Sequence, residues 1–222
     1  EGHDEVRNAR KRQGQGAARL TMFTLLLRLR QVCCDLRLTG LPKESLADVP
    51  NDDLSGKLPL WRDRISEIIT AGGRVLVFSQ FVKFLHLLRD DLIAENVKFC
   101  YLDGQSNDRA EQVERFQKQP ENKVFLISLK AGGYGLNLTA ADHVMLMDPW
   151  WNPAVEAQAI DRAHRLGQDR VVTALRLVTR NTVEEKIIKL QAAKRGIIEA
   201  TLDEASPIMQ GLTDADLEQV LG

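Results

Sequence analysis

Gln158, Arg162 and Arg165 fall at positions i, i+4 and i+7, so on a helix they form one stripe. Two guanidiniums and an amide on one face offer a fork of donors suited to phosphate oxygens. Like charges one turn apart cost about 0.2–0.5 kcal/mol without a counter-anion. Asp161, on the adjoining stripe with His164, can supply that anion internally. A salt-bridged face and a phosphate grip are both open for this stretch, and His164 by itself reads as a structural histidine.

Two further clusters lie upstream. In "SLKAGGYGLNL" (128–138) the glycines let backbone N–H groups approach a ligand closely, and Lys130 adds a point charge. Asn137 can hydrogen-bond a sugar hydroxyl or a neighbouring catalytic group, while an ordinary glycine-rich turn is the plain alternative. In "DPWWNP" (148–153) two prolines stiffen a turn with adjacent tryptophans. Both rings cannot easily point inward, so one is expected in the core and the other is available for stacking. The pattern G-x-x-x-x-G-K-[ST] occurs nowhere, so these residues do not spell a self-contained ATPase site.

The elements that must carry these clusters alternate. "RVLVFS" (74–79), "VKFCYL" (97–102), "KVFLIS" (123–128), "HVMLMD" (143–148) and "VVTALRLV" (171–178) read as strands. Between them, helical patterns run over 81–96, from Asp108 to Lys118 with Ser106 or Asn107 as cap, and from about Pro153 to His164. A long helix follows from Thr182 to Leu202. Parallel strands need crossover helices, so the pattern predicts an α/β fold, a parallel sheet covered on both faces. Ligands of such sheets gather outside the carboxyl ends of the strands, where every unusual cluster here lies, or on the helix before the last strand. Residues 17–32 predict an apolar helix that must dock on something, and 39–59 a Pro/Gly/Asp-rich linker.

The 222 residues are 44% hydrophobic and 27% charged, enough for a buried core. A net charge of −1 leaves nucleic-acid binding to local patches. Residues 1–30 hold seven Lys/Arg against three Asp/Glu, and after Arg195 there are six acids and no base. Three cysteines without C-x-x-C argue against a disulfide framework and a zinc site, so no metal ligand is expected and an intracellular setting fits. No apolar run reaches the ~20 residues of a membrane span. The start, "EGHDEVRNARKRQ", lacks a signal-peptide core and reads as the cut edge of a longer protein.

"RVLVFSQF", "YLDGQS", "ISLKAGGYGLNLTAADHVMLMDPWWNP" and "QAIDRAHRLGQ", in this order, resemble the motifs of the second RecA-like lobe of Swi/Snf-type ATPases, superfamily-two DNA translocases related to helicases. "LRLRQVCCDLRL", "SGK" and "TVEEKI" are also similar to that family, and the likeness runs over about residues 20–200. The resemblance implies a RecA-like lobe over 59–180, a helical extension and linker over 1–58, and a C-terminal brace helix with acidic tail over 181–222. It implies Arg162 and Arg165, with Gln158, as fingers on the γ-phosphate of ATP, whose magnesium and triphosphate are held mainly by a first lobe. Gly135 and Asn137 match positions coupling nucleotide to DNA. Ser79, Gln80, Gly104, Gln105, Ser128 and Lys130 match loops facing the DNA backbone, and Trp151 a tryptophan at the DNA groove with Trp150 packing. The implied partners are double-stranded DNA, the first lobe of the same protein and DNA-bound proteins, with no membrane. The P-loop and DEAH-type site are expected upstream of Glu1, and "DGQS" departs from the commoner "DGST". The double cysteine and short linker point to the prokaryotic branch, hence the cytoplasm; a eukaryotic source would imply the nucleus. The alternative is a nucleic-acid-binding or protein-interaction module without ATP chemistry.

Overall fold

The apolar runs of the sequence become strands β1 (Val75–Ser79), β2 (Phe99–Leu102), β3 (Val124–Ser128), β4 (His143–Leu146) and β5 (Thr173–Arg176). They pair in the order β2-β3-β1-β4-β5, every pair parallel. This computed structural model describes residues 15–131, 136–164, 170–198 and 213–221. The helices are α1 (Gln15–Cys34), α2 (Leu58–Thr70), α3 (Val82–Ala94), α4 (Arg109–Lys118), α5 (Pro153–Asp161), α6 (Val183–Ile198) and α7 (Asp214–Leu221).

β1 and β3 are buried at every residue because both sheet faces are covered. Val75, Val77, Val124, Leu126 and Met145 meet Trp61 and Ile65 of α2 and Phe84 and Leu88 of α3. The alternate residues Leu76, Phe78, Phe125, Ile127 and Val144 meet Phe116 of α4 and Ala159 of α5. The expected α/β architecture with helices on both faces is therefore present. Gly72, at φ 81°, ends α2, and Gly73 turns into β1 where a Cβ would stand 2.9 Å from the Ile68 side chain.

The helical extension has its expected partner. Met22, Leu26 and Cys33 of α1 form a third core with Val183, Ile187 and Leu190 of α6 and Leu217 and Val220 of α7. A buried ion pair ties the linker to the same brace. Lys57 Nζ donates to Glu184 Oε1 at 2.6 Å and to the Met147 carbonyl at 2.7 Å, joining "SGK", the end of β4 and "TVEEKI".

Several details differ from the sequence reading. β5 is shorter than 171–178 and largely exposed, with Val171 89% exposed, because it lies at the sheet edge with one side unpaired by a strand. β2 begins two residues late because the Val97 N–H closes the end of α3 on the Leu92 carbonyl. Ser106 does not cap α4. Its hydroxyl accepts from the Asp103 N–H at 3.0 Å and builds the loop leaving β2, and Asp108 holds the cap position with its carboxylate on Gln112 Nε2 rather than on a backbone N–H. Thr182 does act near the start of α6, where its Oγ1 accepts from the Glu184 N–H at 3.2 Å. The acidic tail hides a helix: Thr213 and Asp216 exchange N–H bonds reciprocally before α7. Residues 199–202, the expected end of the long helix, lie outside the described residues.

Candidate nucleotide and nucleic-acid interface

The register of β1 and β4 sets Phe78 beside Leu146, so the chain leaves both strands at the same level. There Asp148, fully buried, becomes the acceptor for everything nearby. The Ser79 hydroxyl donates to Asp148 Oδ2, and Gln80 Nε2 donates to Oδ1 at 2.6 Å. Arg30 of α1 reaches the same point. Its guanidinium donates to the Pro149 carbonyl at 2.5 Å and lies 3.7 Å from Asp148 Oδ1. Phe81, Trp150 and Trp151 surround it, with ring centroids 5.7, 6.0 and 5.3 Å away. Burial pushes the Arg30 guanidinium below its ordinary value, and the Asp148 charge opposes that.

The tryptophans divide as the sequence suggested in part. Trp150 is 7% exposed, with its N–H on Glu156 Oε1 at 2.7 Å and its carbonyl accepting from Gln191. Trp151 is half-buried, packed against the core formed by α1, α6 and α7. Its indole is thus held at the rim rather than presented whole.

The exits of β2 and β3 are more open. Gly104 and Gln105 are exposed, and the Gln105 N–H donates to Asp103 Oδ1 at 2.8 Å. Burial alone raises the Asp103 carboxyl, but the Gln105 N–H and the Tyr101 and Ser106 hydroxyls together hold it below the ordinary carboxylate range. Lys130 is exposed just past β3. Ser128, by contrast, is buried, and its Oγ accepts from the Ala131 N–H at 3.2 Å. Of the six residues expected to face a DNA backbone, Gly104, Gln105 and Lys130 stand in solvent, Gln80 is half-buried, and Ser79 and Ser128 point their hydroxyls inward.

At the end of α5, Arg162 is the C-cap residue and only 6% exposed, while Gln158 is half-buried. The Leu138 N–H donates to the Arg162 carbonyl at 3.0 Å, so the segment leaving the glycine-rich loop is bonded to the expected finger. Asn137 is exposed and its carbonyl accepts from Gln117 at 3.2 Å. Gly135 and Arg165 lie outside the described residues. Sequence reasoning passed over Arg30 and Asp148. The D-P of "DPWWNP" was a signal for Asp148, but nothing local marked Arg30 among the arginines of α1. Among the described residues no three His, Cys, Asp or Glu side chains cluster as a metal site, and no helix is long and apolar enough to cross a membrane.

Residues 62–167 match the helicase conserved C-terminal domain family. The chain is 49% identical over 133 residues to an uncharacterized ATP-dependent helicase of Schizosaccharomyces pombe, covering 59% of this chain and 13% of that protein. It is 46% identical over 145 residues to the chromatin-remodeling ATPase INO80 of Aspergillus oryzae, covering 64% of this chain and 10% of that one. The chain thus spans about a tenth of the length of these curated relatives. Among solved structures, the Sulfolobus solfataricus SWI2/SNF2 ATPase C-terminal domain superposes with a TM-score of 0.70 at 27% identity, over 99% of this chain and 89% of that one. With fungal and archaeal relatives alike, the prokaryotic and cytoplasmic reading of the double cysteine finds no support.

Proposed function

The chain belongs to the helicase C-terminal domain family, in its Swi2/Snf2 class, and from that premise we propose that it is the second motor lobe of an ATP-dependent translocase on double-stranded DNA. The observation that carries this reading is the bond from the Leu138 N–H to the Arg162 carbonyl. It ties Leu138, eight positions along the chain from exposed Lys130, to the helix end bearing Arg162. A nucleotide at one end and a DNA strand at the other then act on the same segment.

The donor set suits a triphosphate: Gln158 and Arg162 lie on one face of α5 and its last turn, with no carboxylate on that stripe. ATP with its magnesium, held mainly by a first lobe, supplies the phosphoryl group whose cleavage drives the cycle. Arg162, with Arg165 following, stabilises charge on that group once the lobes close. Because Arg162 is buried here, closure must turn its guanidinium outward. Gly104, Gln105 and Lys130 meet the DNA backbone, so binding is sequence-tolerant and weakens with salt. DNA-bound proteins are the load.

In the full-length enzyme Arg162→Ala lowers DNA-stimulated ATP turnover by about 1,000-fold, with ATP binding retained. Turnover within tenfold of wild type would remove the finger assignment. The 222-residue chain alone hydrolyses no ATP; turnover from it would reveal a complete site within these residues. A second reading, a protein-docking module, draws on Leu20, Leu27 and Val32, which α1 leaves exposed. It gains ground if the full-length protein binds no DNA but loses a protein partner when those three are made polar.

A further inference from the structure

Arg30 sits where a purely structural residue would be better satisfied. It is 3% exposed, and among the described residues its Nε has no hydrogen-bond partner and its ion pair with Asp148 is a long one at 3.7 Å. Burying a cation on such terms is unfavourable unless something else depends on it. Lys57, another buried cation from before the sheet, shows the contrast. It has a carboxylate at 2.6 Å and carbonyls at 2.7 and 3.4 Å.

What depends on Arg30 is the rim of the interface. Its Nη2 donates to the Pro149 carbonyl and lies 3.7 Å from the Asp148 carboxylate, and its guanidinium carbon lies among the rings of Phe81, Trp150 and Trp151. Asp148 in turn holds Ser79 and Gln80. The exits of β1 and β4 are therefore gathered around one side chain from α1, thirty-two positions before the family match begins at residue 62. Trp150 has independent anchors in Glu156 and Gln191, whereas the Trp151 indole makes no hydrogen bond among the described residues and rests on Arg30 and the α1–α6–α7 core.

We infer that Arg30 is a positioning residue that sets the stance of Trp151 and Gln80 toward DNA, through a planar cation that lysine cannot replace. This rests on the proposed DNA-stimulated ATPase reading, and the test separates the two. In the full-length protein, Arg30→Met raises the DNA concentration for half-maximal ATPase about tenfold, with kcat at saturating DNA falling less than about threefold. Iodide quenching of tryptophan fluorescence rises as Trp151 loosens. Arg30→Lys, keeping the charge but not the fork, shifts half-saturation by about threefold. Lys57→Met lowers Tm without moving half-saturation or quenching.

Arg30→Met that lowers Tm as Lys57→Met does, with half-saturation and quenching unchanged, overturns the inference. If Arg30→Met does not fold, Arg30→Lys decides, and wild-type half-saturation and quenching in it overturn the inference equally. A wild-type enzyme without DNA-stimulated ATPase defeats the functional reading alone; the quenching comparison then decides the role of Arg30.

Discussion

The loops leaving β1 and β4 and those leaving β2 and β3 lie on the same sheet edge and behave oppositely. At the first pair, Ser79, Gln80 and Asp148 close on one another over Arg30. At the second, Gly104, Gln105 and Lys130 remain in solvent, and the Asp103 carboxylate is satisfied by its own loop. The difference follows from what stands beneath each loop. α1 brings a cation beside Asp148, and Ser79 and Gln80 turn in to the same carboxylate. Asp103 forms no ion pair among the described residues, and the Gln105 N–H with the Tyr101 and Ser106 hydroxyls holds its carboxylate. Motif residues of one helicase-like edge thus divide into those that bond to one another in the interior and those that stay exposed.

The contrast breaks most visibly at its buried acid. Asp148→Ala strands Arg30 without its counter-charge, and urea denaturation should show a loss of about 3–5 kcal/mol. A loss below about 1 kcal/mol, the range of an exposed pair, would mean the two regions are not so different. Lys130→Ala should leave stability unchanged but weaken DNA binding, lowering the salt slope of log K by about 0.9 for one phosphate contact. A fluorescence titration at several salt concentrations reads this, and an unchanged slope removes Lys130 from the DNA face.

Acid sharpens the comparison further. The Asp103 carboxyl lies below its ordinary value, so its stabilising contribution is complete above about pH 4 and is lost as pH falls through the lowered pKa. Asp103→Asn should remove that acid-side slope from a pH series of Tm and lower Tm at neutral pH, so that the two proteins converge as the pH falls. The smallest effect belongs to Gln105→Ala, within about 0.5 kcal/mol of wild type in stability. A greater loss in thermal unfolding would show that this loop is closed after all.

The five strands, their parallel order and helices on both faces were legible because each depends on a local pattern: a continuous apolar run, a glycine pair, a cap. That the motif residues would gather at the strand exits was legible too, because each motif directly follows an apolar run. Individual roles were not. Ser79 and Lys130 belong to the same kind of strand-exit loop, yet one is buried and the other exposed. α7 was missed because six acids after Arg195 obscured the Thr213–Asp216 box and the spacing of Leu217 and Val220.

By itself the sequence determined that a parallel sheet would present glycines, a lysine, paired tryptophans and arginines along one edge, because side-chain type and periodicity act within a few residues. Only the tertiary structure decided that Arg30 lies under Asp148, 118 positions away, and Lys57 against Glu184, 127 positions away. A buried charge is defined by whatever packs around it, and in this chain those surroundings come from helices before and after the sheet.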